Sequence, residues 1–262
     1  MAIYIIEMCL VGIGVGLISG ALGLGGGILM VPAFMTFQMG MDMHTAKGTS
    51  LFIIIFVSLL NAWRLNHGVP NKPWRLAAFL AGGSIIGAYL GAWVTTKVSE
   101  EMVIAVFMVL LAVLAIRTFL LKQREVMEEE VHSRRVLTIC IGLCAGFFGG
   151  ATGTGGGAVL IPLALMAGIV ANNRAVGLSN MVMVATSIAG TVAHLRADVI
   201  YEHAWTYGHV YFGLVPLVFL GAQIGSPLGK KLNSHLTLER RRILMGGLLL
   251  VIAVRLMWRL MA

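Results

Sequence analysis

The chain has 262 residues, of which 58% are hydrophobic and only 11% are charged. An average soluble domain carries about 25% charged residues, and the mean hydropathy of this chain is +0.91, so a soluble fold is excluded. The net charge of +8 is then typical of basic cytoplasmic loops and not of a nucleic-acid-binding surface. We expect a membrane-embedded protein whose partners are the lipid bilayer and a small solute, with no nucleic acid.

Five apolar segments are predicted in each half of the chain. Several have the ~20 residues needed to span a hydrocarbon core, so we predict an all-α polytopic membrane protein. The second segment of each half has only about 14 residues and is either a short helix or the return arm of a re-entrant hairpin. The segments are 2–22, 27–40, 45–66, 74–96 and 101–121, then 136–152, 157–170, 174–195, 208–230 and 242–261.

One motif is written twice, at the end of the first segment of each half. Residues 16–32 read GLISGALGLGGGILMVP and residues 146–162 read GFFGGATGTGGGAVLIP, with eight of seventeen positions identical. We therefore predict a first membrane repeat over 1–122, a charged cytoplasmic linker over 123–134 and a second repeat over 135–262. A backbone break inside a membrane must be satisfied by protein or by a cavity, and paired breaks in two halves indicate a transporter's binding site.

The placement of lysine and arginine predicts the orientation. Four loops hold 14 of the 19 basic residues, and the positive-inside rule assigns these loops to the cytoplasm. Each half then crosses the membrane an odd number of times, so the halves are inverted relative to each other and both termini lie on the non-cytoplasmic side. The four loops are 64–75, 117–135, 171–174 and 230–242.

The glycine runs lack the nucleotide-binding fingerprints. A G-x-G-x-x-G motif would need glycine where the chain has Ile28 and Ala158, and no G-K-[ST] follows either run. Glycine amides just before a helix instead form a partly positive pocket that suits a small anion, although the same glycines would also permit tight helix crossings. The predicted substrate-binding residues are Ser19, Gly23, Gly25, Gly26, Gly27, Thr49, Ser50, Thr152, Gly153, Thr154, Gly155, Gly156, Gly157, Ser179 and Asn180.

Four further residues are candidates for charge or pH contacts. Lys47 and Arg174 begin the third segments, where they either attract an anion or belong to loops that face lipid headgroups. His194 is either a pH-sensitive contact or a packed histidine. Glu7 is the one acid inside an apolar segment and leaves proton coupling open. No catalytic residue, metal ligand set or cofactor site is predicted, so we expect no enzyme activity.

Two other functions stay open at this point. Cys140 and Cys144 share a helix face at i, i+4, as a membrane-embedded thiol or redox factor would require. A passive anion channel would also use a pore lined by backbone and hydroxyl groups. A homo-oligomer is compatible with each of these functions.

The motifs GLGGGILMVP and GTGGGAVLIP, together with HTAKGTS at 44–50 and NRAVGLSN at 173–180, give the chain a family resemblance. It resembles the TauE/SafE family of sulfite and organosulfonate exporters, also called the toluene-sulfonate uptake permease family. The resemblance covers nearly the whole chain. It implies a secondary transporter, and in particular an exporter, of small sulfur-containing anions in the bacterial cytoplasmic (inner) membrane. Thr152 and Thr154 replace Leu22 and Leu24 of the first copy, so the second loop is expected to make more of the polar contacts.

Overall fold

The computed structural model describes residues 2–23, 25–37, 41–68, 73–120, 127, 131 and 134–261. Within them the protein is helical apart from one short hairpin, which confirms the all-α class. The first half forms α1 (Ala2–Leu22), α2 (Gly27–Phe37), α3 (Met43–Asn66), α4 (Trp74–Thr95) and α5 (Glu100–Leu120). The second half forms α6 (Arg135–Thr152), α7 (Gly157–Met166), α8 (Asn172–Leu195), strands β1 (Thr206–Tyr207) and β2 (Val210–Tyr211), α9 (Val215–His235) and α10 (Leu238–Met261).

Six helices of the described chain are long and apolar enough to cross a membrane, namely α1, α3, α4, α6, α8 and α9. The short helices α2 and α7 have 11 and 10 residues. At 1.5 Å per residue they are only about 16 Å long, too short to span. Gly14 of α1 faces Leu29 of α2, so α2 folds back along α1. The first glycine loop is therefore a turn after which a short helix runs back along the long helix before it, and whether such a pair is re-entrant in the membrane stays a prediction.

The largest difference between the predicted segments and the described helices lies before α9. The fourth segment of the second half was expected to begin at residue 208, but α9 begins at Val215. The intervening residues form the β1–β2 hairpin, in which Thr206 pairs with Tyr211 and Tyr207 with Val210, followed by a 3₁₀ turn. Their apolar side chains made this stretch look like the start of a spanning helix. Most of the predicted linker at 123–134 lies outside the described residues.

The two halves interlock instead of packing as separate bundles. Helix α1 packs along α9, α6 packs along α4, α3 packs against α8, and α5 packs against α10. Exchanging the halves converts the α1–α9 pair into the α6–α4 pair and maps the α3–α8 and α5–α10 pairs onto themselves. The described helices therefore have the packing of a pseudo-two-fold dimer. The predicted repeat limits at 122 and 135 stay a prediction.

The central pair α3 and α8 gives the relative direction of the halves. Asn66 Nδ2 at the end of α3 donates to the Gly177 carbonyl near the start of α8, at 3.3 Å. At the opposite ends, Gly48 lies against His194. The two helices are therefore antiparallel, although they are equivalent in the repeat, with Gly48 matching Gly177. Equivalent helices that run in opposite directions make the halves inverted, as the charge pattern predicted.

Rows of glycine hold the outer pairs together. A Cβ atom on Gly16 of α1 would collide with the Ala222 carbonyl of α9, and one on Gly87 of α4 would collide with the Leu143 carbonyl of α6. Small residues let helix backbones approach closely in lipid, where packing replaces the hydrophobic driving force. These glycines are required for packing and are separate from the glycine loops.

The helix directions define two ends of the molecule. Ring contacts between Phe52 and Phe212 and between Phe56 and Phe219 show that α3 runs parallel to α9. The end of α3, the start of α8 and the end of α9 therefore share one end, which we call the basic end (64–68, 172–174 and 230–242). The start of α3, the end of α8 and the hairpin share the other, which we call the histidine end (42–47 and 194–211).

Candidate functional site

The two glycine loops have the same backbone conformation. In each loop the first, third and fourth residues of the glycine motif have positive φ, a region that glycine adopts without steric cost. These residues are Gly23 (φ +70°), Gly25 (+82°) and Gly26 (+68°) in the first loop, and Gly153 (+74°), Gly155 (+76°) and Gly156 (+84°) in the second. The repeated glycines are thus required by backbone geometry. Leu24 lies outside the described residues.

The loops meet at the centre of the protein. A Cβ atom on Gly27 would lie 2.5 Å from the Gly153 carbonyl oxygen and 2.6 Å from Thr154 Cα, and Gly157 lies equally close to the Gly23 carbonyl. The two backbones therefore touch, which leaves no space for an ion between Gly27 and Gly153 in this conformation. At these positions the glycines permit close backbone approach, and their part in binding an anion stays a prediction.

Equivalent serines fix the two loops. Ser50 Oγ of α3 donates to the Gly153 carbonyl at 2.8 Å, and Ser179 Oγ of α8 donates to the Gly23 carbonyl at 3.0 Å. Both serines are fully buried. Because each predicted serine donates to a carbonyl of the glycine loop from the opposite half, the pair ties the halves to each other.

The first loop is supported by an amide network. Asn61 Nδ2 donates to Ser19 Oγ at 3.0 Å, and Ser19 Oγ donates to Asn180 Oδ1 at 3.4 Å. The Asn180 amide group in turn donates to the Val176 carbonyl. Ser19 and Asn180 were predicted at this loop, whereas Asn61 was not. Its signal in the sequence is a lone amide in an otherwise apolar stretch of α3.

The second loop folds its amides back on α6. The N–H groups of Gly153, Thr154 and Gly155 all donate to the Gly149 carbonyl. In this conformation these three amides are occupied, and the anion cradle that the sequence suggested stays a prediction. Thr152 Oγ1 donates to the Phe148 carbonyl at 2.6 Å and lies 3.0 Å from Thr154 Oγ1.

A buried lysine lies against the second loop. Lys47 is 0% exposed, and its Nζ donates to the Ala151 carbonyl at 3.2 Å. A Cβ atom on Gly153 would lie 2.7 Å from Lys47 Cα, so the helix and the loop are in direct contact. The interpretation of Lys47 as a residue of a loop facing lipid headgroups is therefore wrong. In the other half the equivalent contact, to Gly23, is made by Val176.

Three buried histidines lie near this lysine at the histidine end. His194 Nδ1 and His209 Nδ1 are 3.2 Å apart, and the ring centroids of His44 and His209 are 5.4 Å apart. Burial lowers the pKa of His209, whose position in β1–β2 lies outside the membrane-spanning helices; Asp42 raises it and Lys47 lowers it further. Only His194 was predicted. His44 and His209 were missed because they are far apart in the sequence.

The remaining candidates lie away from the loops. Thr49 Oγ1 accepts from the Tyr211 N–H at 2.9 Å and so binds the hairpin. Glu7 precedes Ser19 by 12 residues, or about 18 Å along α1. Cys140 is exposed on α6 and Cys144 is partly buried, and both are free thiols. Arg174 lines a cavity of about 270 Å³ at the basic end, together with Leu65, Asn66, Asn173, Val176, Gly177 and Asn233.

Comparisons with known proteins agree with this architecture. The family model described as sulfite exporter TauE/SafE matches residues 8–256. A "probable membrane transporter protein" of Methanocaldococcus jannaschii is 25% identical over 250 residues, covering 92% of this chain and 91% of the relative. The "probable membrane transporter protein YunE" of Bacillus subtilis is 26% identical over 264 residues, covering 91% and 93%. No solved structure matches the chain.

Proposed function

Because the chain belongs to the sulfite exporter TauE/SafE family and is a multi-pass membrane transporter and not an enzyme, we propose that it exports sulfite or an organosulfonate. The names of the relatives specify transport but no substrate, so the cargo is inferred from the family description and from the chemistry of the site. We place the protein in the bacterial cytoplasmic membrane, with the basic end in the cytoplasm and both termini outside.

We infer an anionic substrate because the side chain of Lys47 is fully buried. An ionisable group inside a membrane protein marks a functional site by default, and a cation in a low-dielectric interior attracts an anion strongly. The hydroxyl groups of Ser50, Thr152 and Thr154 lie around the same loop and supply further donors for an oxyanion. The anion would bind beside the second loop and accept the ammonium hydrogen bond that Ala151 now accepts.

We expect the inverted halves to give the anion access to this site from each side of the membrane in turn. The cavity at the basic end reaches Val176, which packs against Gly23, so an anion entering beside Arg174 arrives at the first loop. The hairpin covers the histidine end. Movement of the helix pairs α1–α2 and α6–α7 would open one side while closing the other. A negative-inside membrane then drives each negative charge outwards by ~2.3 kcal/mol per 100 mV.

Counterflow in liposomes tests this proposal. Purified protein is reconstituted, and exchange of radiolabelled anion is measured for sulfite, sulfate, thiosulfate, sulfoacetate, taurine and toluene sulfonate. We expect Lys47→Met to lower exchange at least about tenfold, since it removes the buried charge, and Lys47→Arg to retain part of it. Lys97→Met is the matched control, because Lys97 is exposed at the end of α4.

Unchanged exchange in a folded Lys47→Met variant would disprove the site, and absence of exchange for every anion would disprove the cargo.

The same assay distinguishes a transporter from the two alternative functions, a passive channel and a redox factor. Counterflow requires a carrier, so a passive channel would not show it. A redox factor that depends on Cys140 and Cys144 would lose activity in the double serine variant, whereas we expect transport to persist.

A further inference from the structure

The three histidines beside Lys47 have a geometry that suits a mobile proton. A neutral imidazole carries one N–H, so the two facing Nδ1 atoms of His194 and His209, 3.2 Å apart, need one ring to donate and the other to accept. A proton added at Nε2 of the donating ring makes that ring an imidazolium and keeps the contact between the two Nδ1 atoms. The pair can therefore hold a proton without rearranging the backbone.

The cluster also has nitrogen atoms that are buried without a partner. His194 is 0% exposed, yet its Nε2 has no hydrogen-bond partner among the residues that the structure describes; the same holds for Nδ1 of His44. Buried polar atoms are normally hydrogen-bonded, so an unpartnered one points to a group that is absent from the structure. A protonated His194 would carry N–H groups on both nitrogen atoms, and Nε2 would become a donor for an oxyanion.

We propose that the cluster of His44, His194 and His209 binds a proton together with the transported anion, so that proton and anion move in the same direction. The inference rests on the proposed function. Adding a proton beside Lys47 places a second positive charge in a dry interior, and an anion bound beside both groups offsets the cost of that charge. By linkage, the proton raises the affinity for the anion, and the anion raises the affinity for the proton by the same factor.

Among the residues that the structure describes, three charged groups face the cluster from the elements packed against it. They are Lys47 on α3, Asp42 at the start of α3, and Asp198 after α8. Asp42 Oδ1 accepts the N–H groups of His44 and Thr45 at 2.8 and 2.9 Å, so its charge already stabilises the start of the helix. The charge of Lys47 therefore attracts the arriving anion, and it repels a proton on the histidines until that anion is bound.

The charge of the cargo then depends on the anion. A doubly charged sulfite that travels with one proton keeps one net negative charge, and a negative-inside membrane still drives it outwards. A singly charged sulfonate with one proton forms a neutral complex that the membrane potential does not drive, so its export requires an outward sulfonate gradient that exceeds any inward proton gradient. The proton is taken up on the side where the anion binds and released where the anion leaves, so charge and mass balance in each cycle.

The test uses liposomes whose membrane potential is clamped at zero. Labelled toluene sulfonate and sulfoacetate, whose charges stay constant over the working pH range, are used beside sulfite. With acid outside, we expect the wild type to accumulate anion against its gradient. His194→Gln, which keeps a hydrogen-bonding side chain but cannot be protonated, should lower this accumulation at least about tenfold, and the counterflow that remains should no longer depend on pH. His235→Gln, at an exposed residue of the basic end, is the matched control.

The outcomes separate the two proposals. Counterflow in the wild type without a response to the pH gradient overturns the proton coupling and leaves the proposed function standing, as does equal accumulation by His194→Gln. Absence of counterflow for all three anions overturns the proposed function and the coupling with it. If His194→Gln does not fold, proton uptake by the wild type in weakly buffered detergent decides: saturating anion should be accompanied by about one proton per protein, and no uptake overturns the coupling.

Discussion

Lys47 and Val176 occupy equivalent places, each packed against the first glycine of a loop from the opposite half. The repeat keeps what the backbone needs, since Ser50 and Ser179 donate to matching carbonyls at 2.8 and 3.0 Å. Residues that depart from the repeat add chemistry to one side only. Residues that are the same in both repeats therefore maintain the structure, and residues that differ between the repeats belong to the proposed site.

The contact between the loops should be sensitive to a single methyl group. Gly27→Ala places a Cβ atom 2.5 Å from the Gly153 carbonyl, so the loops must separate. We expect a loss of about 2 kcal/mol in the free energy of unfolding, which is typical of overpacking, together with loss of transport. Thermal unfolding in detergent, followed by tryptophan fluorescence, measures the first effect.

Gly82→Ala is the control for that variant. Gly82 is an exposed residue of α4, and a methyl group added there would meet no atom within 4 Å. Alanine favours a helix over glycine by about 0.5–1 kcal/mol, so this variant should be as stable as the wild type or slightly more stable. Equal stability of both variants would show that the loops are not in contact.

Among the elements, the β1–β2 hairpin closes the histidine end. The His209 N–H donates to the His194 carbonyl at 3.0 Å, and the Tyr211 N–H donates to Thr49 Oγ1 at 2.9 Å. Gly48 lies directly against the His209 carbonyl, so a side chain there would push the hairpin away. The hairpin is thus held by α3 and α8 together, and it covers the buried histidines.

Acid should loosen this hairpin. Burial lowers the pKa of His209 below its ordinary value of 6.5, so the neutral ring is favoured in the folded state. The stability that this contributes is fully present above about pH 6.5 and is lost as the pH falls through the lower pKa of the folded state. The groups facing His209 are His194, His44, Lys47, Asp42 and Asp198.

Hydrogen exchange of the Tyr211 amide, corrected for the intrinsic effect of pH, measures that loosening. Protection should fall in acid in the wild type and fall less in His209→Gln, which has no ring to protonate. Protection that is independent of pH in the wild type would contradict the prediction.

Across the whole molecule, the basic residues collect at one end. Arg64 donates to Gln223 Oε1 at 2.9 Å there, and Lys230 bonds to the Arg64 carbonyl. With the proposed orientation, Ser234 faces the cytoplasm and Lys97 faces outwards. In a cysteine-free background, a membrane-impermeant maleimide should label Lys97→Cys but not Ser234→Cys in intact cells, and both after lysis. The reverse pattern would invert the topology.

The sequence predicted the helical class, the inverted halves and the paired glycine turns. A duplicated motif and the placement of basic residues can both be read from the sequence without knowing which helices are in contact. It did not predict the histidine cluster. His44 and His209 become neighbours only because α3 and α8 are antiparallel and the hairpin folds over their ends. The sequence left open whether the Lys47 side chain is exposed or buried for a similar reason. A basic residue at the start of a segment is buried only if a loop from elsewhere in the chain packs on it.

The crossed packing of α1 on α9 and of α6 on α4 has a consequence for how the chain can be divided. A half by itself has no partner for the glycine row of its first helix, since that partner is the fourth helix of the other half. Each half therefore corresponds to one subunit of an antiparallel dimer, and the two subunits are joined in a single chain. The smallest complete unit of folding is therefore the fused pair, with its copies inserted in opposite directions.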